Sequence, residues 1–144
     1  MSRRKDLSVA LLGVVVALII WITILSRETL IGTPFSYRPF HSLPSLIKEL
    51  QRRRAGNSLG NVILFMPVGV LLPEVTGWNK VWKTVVMGVG FSLFIEIIQL
   101  ITSRGCFDFD DMILNGLGTL IGFGLFRVVE LVTKHHLNSG DIQK

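Results

Sequence analysis

The chain has 144 residues, 49% of them hydrophobic, a mean hydropathy of +0.55 and a formal net charge of +5. That is too apolar for an ordinary soluble domain of this size, so the positive charge is assigned to anionic lipid headgroups and not to nucleic acid. A single cysteine, Cys106, excludes an internal disulfide framework, and no Cys-x-x-Cys or His-rich pattern calls for a metal or other cofactor.

In chain order, a short basic start with Arg3, Arg4 and Lys5 precedes an unbroken apolar run, Leu7 to Leu25, long enough to span a bilayer. Ser26-Arg27-Glu28 does not resemble a small-residue cleavage site, so the run is expected to be a retained first span, with Trp21 as an interfacial aromatic. Gly32 to Phe40 carries two prolines and is not expected to be helical. After it, Leu43, Leu46, Ile47 and Leu50 make one apolar stripe opposite Lys48, Gln51, Arg52 and Arg53. Such a segment suits a short amphipathic helix lying in the membrane interface; a small helix docked on the bundle is compatible with the same pattern.

Further apolar runs predict spans at about 58–73, 81–101 and 112–132. Pro67 interrupts the second of these, predicting a kink or a partly re-entrant segment. Gly88 and Gly90 in the third, and Gly116, Gly118, Gly122 and Gly124 in the fourth, predict close helix contact and no chemistry. Arg127 and Lys134 are placed to snorkel, and residues 134–144 are expected to be a polar, frayed tail. The fold expected is a single all-α integral membrane four-helix bundle. The basic residues divide almost evenly between its two sides, so orientation rests on the basic flank of the first span, which puts both termini in the cytoplasm and the turn between the third and fourth spans outside.

The chemistry gathers near that turn. Ser92, Glu96 and Gln99 share one helix face, and Asp108, Asp111 and Asn115 have helical spacing on the next run. A charge at the centre of a span opposes insertion by about 2.5–3.5 kcal/mol, so Glu96 is expected to be neutral, paired or in a wet cavity. Arg104 is expected to reach back to Glu96 or across to an aspartate. Asp108 suits a helix N-cap with Asp111 in the first turn, and Asp110 is expected to point into solvent. Asn61, at the start of the second span, suits a helix cap, an interhelical hydrogen bond or a place in the cluster.

Asn61-x3-Phe65-x-Pro67-x-Gly69, then Ser92-x3-Glu96-x2-Gln99, then Arg104-x3-Asp108-x2-Asp111-x3-Asn115-x2-Gly118, resembles the VanZ-like membrane proteins over roughly residues 39–122. The resemblance implies a small integral protein of the bacterial cytoplasmic membrane; one founding member of the family is associated with teicoplanin resistance. The family often has an Asn three residues before a Pro-Phe pair. Pro39-Phe40 has Ser36 there instead, so no role of that Asn carries over.

Two function classes follow. In the favoured one, a non-enzymatic module uses Arg38, Asn61, Ser92, Glu96, Gln99, Arg104, Asp108, Asp111 and Asn115 to bind a lipid-linked envelope component or a lipoglycopeptide, contributing to glycopeptide resistance. The alternative is an enzyme on a phosphorylated lipid, with Glu96 or Asp111 as base or metal ligand and Arg38, Arg104 or the Arg52 to Arg54 run holding phosphate. It lacks a nucleophile constellation and a phosphate-cradling glycine loop. A purely structural role, in which the polar stripes only hold the bundle together, stays open as a third reading.

Overall fold

This computed structural model describes residues 3–25, 56–104 and 108–141, with side chains described over 3–25, 59–104 and 108–135. The expected interfacial helix, Arg38, the Arg52 to Arg54 run and Cys106 lie outside the described residues. The first helix, α1, covers Arg3–Ile20 and continues as a π-helical turn, Trp21–Leu25. Helix α2 covers Gly56–Thr76, α3 covers Val81–Ile101 and α4 covers Phe109–Asp141. All four are long and apolar enough to cross a membrane, and no strand occurs among the described residues.

The distribution of polarity is inverted relative to a soluble protein. Ile63, Val86 and Ile101 are each more than 60% exposed, whereas Ser92, Glu96 and Gln99 are at most 3% exposed. Apolar side chains facing outward and polar ones turned inside are what a hydrocarbon surrounding favours. Trp21 and Trp82 are exposed near opposite helix ends, where interfacial aromatics are enriched.

The bundle has two distinguishable ends. At the terminal end, Arg4 in the first turn of α1 meets Glu74 near the end of α2, Nε to Oε1 2.9 Å. At the turn end lie the last turn of α1, the start of α2 and the α3–α4 connection. Between these ends, Ile19, Ile24, Phe65, Val68 and Ile95 form the apolar core, and the Phe65 and Phe91 rings sit 5.9 Å apart.

The closest contact is between α2 and α4, and glycine makes it possible. A methyl group on Gly118 would strike the carbonyl of Val62, and one on Gly122 would strike that of Met66. Gly69 is pressed against the α4 backbone at Thr119 and Phe123. Gly88 lies against the Thr119 side chain and Gly116 against Val89, while Gly90 and Gly124 face open space and so do not make the close contact expected of them.

Two other expectations are corrected. Helix α2 is not a short re-entrant segment: it runs unbroken through Pro67 and Pro73 to Thr76, long enough to cross. The neighbouring helix backbone packed along it holds the chain in register despite the missing donors. Helix α4 continues through most of the expected tail to Asp141. No residue between Arg127 and Ser139 breaks a helix, and Glu130 links Arg127 (2.6 Å) and Lys134 (2.8 Å) along its surface.

Helix α3 ends in a Schellman motif. The Arg104 amide donates to the Gln99 carbonyl (3.0 Å) and the Ser103 amide to Leu100 (3.3 Å), with Ser103 at φ 53°. Glycine would hold that left-handed position without the Cβ penalty of about 1 kcal/mol. Ser103→Gly is therefore expected to leave the unfolding temperature in detergent unchanged or slightly raised, and Ser103→Val to lower it. A fall with glycine would show that the serine side chain matters more than the backbone.

Candidate functional site

The α3–α4 connection carries the site, and each polar residue has a local reason for its position. Asp108 caps α4: its Oδ1 accepts the Asp110 amide at 2.9 Å. The Asp108 amide in turn donates to Glu96 Oε2 at 3.0 Å. Glu96, placed about 7–8 Å below the end of α3 by the rise of 1.5 Å per residue, is thereby supplied with a backbone donor from the turn above it. One turn deeper, Asn115 Nδ2 donates to Ser92 Oγ at 2.7 Å, tying α4 to α3. Thr119, fully buried, donates to the Asn115 carbonyl at 2.9 Å. The two polar stripes thus meet at two levels, Glu96 with Asp108 and Ser92 with Asn115, along one α3–α4 seam.

Gln99 and Arg104 turn elsewhere. Gln99 Nε2 donates to the Thr23 carbonyl at 2.8 Å. Arg104 Nη1 donates to the carbonyls of Ile24 (3.3 Å) and Leu25 (3.5 Å). These are main-chain carbonyls of the π-helical turn, acceptors that a cationic side chain satisfies well. Thr23, whose hydroxyl bonds back to Ile19 at 2.6 Å, sits in the π-helical turn that presents them. The expected reach of Arg104 to Glu96 or an aspartate is therefore corrected: the guanidinium fastens the first span to the turn. Nothing in the sequence marks Thr23, Ile24 and Leu25 as partners, because backbone carbonyls carry no residue signature. Thr119 was findable, standing four residues after Asn115 on the same face.

Asp110 is also corrected. It is half-buried, and its Oδ1 is shielded without a hydrogen-bond partner, as are Gln99 Oε1 and Asn115 Oδ1. Asp111 is half-buried in the first turn of α4. Asn61 is half-buried in the same half of the bundle, and no hydrogen bond among the described residues joins it to the seam. No cluster of metal-ligating acids, histidines or cysteines occurs among the described residues. Along the outer side of the same two helices runs an open apolar groove of about 360 Å³, lined by residues including Val85, Val89, Phe109, Met112, Gly116 and Leu120.

Four apolar helices around an internal polar seam define a multi-pass membrane protein. The chain belongs to the VanZ/LLP1 family, whose model matches residues 7–130. No protein with a curated description and no solved structure matches it.

Proposed function

We propose that this protein is a non-enzymatic membrane module that holds the polar head of a lipid-linked envelope component, or of a lipoglycopeptide, at the turn end of its bundle. The observation that carries this reading is the excess of acceptors there. Gln99 Oε1, Asn115 Oδ1 and Asp110 Oδ1 are shielded and have no donor, and leaving such groups unmet costs about 1–3 kcal/mol each. A head rich in hydroxyl, amide or ammonium donors suits them; phosphate, itself an acceptor, does not. The α3–α4 groove supplies an apolar track for the attached chain. Arg104's engagement with carbonyls of α1 also weighs against its serving as a phosphate clamp, so the enzyme reading gains nothing from the geometry.

In this reading both termini lie in the cytoplasm and the turn faces outward. Capture of a lipoglycopeptide there keeps it from its cell-wall target and contributes to teicoplanin resistance. Native mass spectrometry tests the idea with a polyprenyl-linked disaccharide-peptide, a lipoglycopeptide and bare polyprenyl phosphate as probes. Wild type is expected to retain a headed probe at unchanged mass and to release the bare phosphate. Glu96→Gln, still folded by circular dichroism, is expected to retain at least tenfold less. Equal retention of bare phosphate, or a changed probe mass, would sink the proposal.

A further inference from the structure

The opposite, terminal end of the bundle holds a second charged feature that the seam does not use. A cavity of about 220 Å³ opens between α1, α2 and α4, lined by Arg4, Glu74, Glu130 and Lys134 together with Phe126 and Thr133. By the ~30 Å³ share of a liquid water molecule, that is room for roughly seven small heavy groups. The lining itself carries two cations and two carboxylates, and Arg127, just outside it, also pairs with Glu130 at 2.6 Å. Their depths differ: Glu74 and Glu130 side chains are 23% exposed, whereas Arg4 and Lys134 are 69% exposed. The floor is therefore acidic and the rim basic.

We infer that this cavity is a site for an aminoalkyl phosphate, the zwitterionic head of a phosphatidylethanolamine-type lipid or its free counterpart. A purely anionic head can use only the rim cations and meets two carboxylates beneath them. A head carrying both signs matches the wall. The ammonium enters first, and its three N–H donors bridge Glu74 and Glu130. The phosphate stays at the rim, where the Arg4 fork and the Lys134 ammonium meet it. A trimethylated ammonium is bulkier and donates no hydrogen bond, and it calls for an aromatic cage, whereas Phe126 is the one aromatic in the lining. Three ion pairs, Arg4–Glu74 at 2.9 Å, Lys134–Glu130 at 2.8 Å and Arg127–Glu130 at 2.6 Å, keep the charges of the lining in position before the ligand arrives. Its place beside the first turn of α1 and the end of α2 is the level at which lipid heads meet a spanning helix.

The full chain in detergent micelles, doped with equal amounts of phosphatidylethanolamine, phosphatidylcholine and phosphatidylglycerol of the same acyl chains, gives the test by native mass spectrometry. Wild type is expected to retain phosphatidylethanolamine at least tenfold over the other two. Glu74→Gln and Arg4→Gln are each expected to abolish that preference, and Arg3→Gln, on a neighbouring exposed residue, to keep it. Thermal unfolding of each variant separates lost selectivity from lost fold. Should Glu74→Gln not fold, Arg4→Gln with its exposed side chain carries the same test. Displacement of the lipid by soluble O-phosphoethanolamine supports the site and assigns the head alone as ligand; retention only of the chain-bearing form supports it with the lipid as source. Equal retention of all three lipids, a preference for phosphatidylglycerol, or a preference that survives Arg4→Gln would overturn it.

Discussion

Gly122→Leu is expected to abolish the folded bundle, and Gly118→Ala and Gly122→Ala each to cost more than about 2 kcal/mol. At both glycines a new Cβ would run into a carbonyl on α2, of Val62 or of Met66. A flexible side-chain tip could swing aside; a backbone carbonyl on a packed helix cannot, so the two helices must separate along the whole seam. Overpacking in a close-packed interior typically costs 1–3 kcal/mol, and backbone contacts fall at the upper end or beyond it. The same substitution at Gly124, where nothing lies within 4 Å, is the internal control and is expected to be neutral. Equilibrium unfolding in mixed micelles, followed by tryptophan fluorescence, reads all four. Equal loss at Gly124 and Gly122 would refute close approach as the cause, since nothing crowds Gly124 and alanine is the better helix former.

The second large effect is expected at the hinge between the first span and the rest. Arg104→Ala removes the donor to Ile24 and Leu25, and Gln99→Leu removes the donor to Thr23. A hydrogen bond from a charged group contributes about 1.5–3 kcal/mol, and interhelical bonds within membranes about 0.6 on average. Arg104→Ala should therefore destabilise more than Gln99→Leu. The double variant should leave α2–α4 intact while α1 becomes loosely held, since the glycine contacts between α2 and α4 do not involve α1. Hydrogen exchange would then rise in Trp21–Leu25 and stay low at Gly118–Phe123. Uniform exchange across all four helices would mean that the first span is integral to one cooperative unit and not a separable element.

Much of the architecture was legible because its causes are local in sequence. A run of some twenty apolar residues is a span whatever surrounds it, since the length of a helix and the thickness of hydrocarbon are fixed. Small residues four apart mark a contact face for the same reason, and Gly118 and Gly122 lie on one. The meeting of Ser92 with Asn115 follows from two helical faces joined by a short turn. Where local pattern misled, packing intervened. Pro67 loses a hydrogen bond in any helix, yet α2 continues past it with α4 lying directly against it.

What the sequence could not decide is where a polar side chain goes once several partners are within reach. Gln99 and Glu96 stand three residues apart on one face, yet one serves its own turn and the other a carbonyl 76 positions away. The chain by itself determined the class: a membrane bundle, its glycine seam and the polar residues that must be buried. The tertiary structure alone decided that Arg104 fastens the first span, that Asp110 is shielded and that Arg4 faces Glu74. Each depends on the distance between helices brought together by packing, and that distance has no counterpart in any single stretch of sequence.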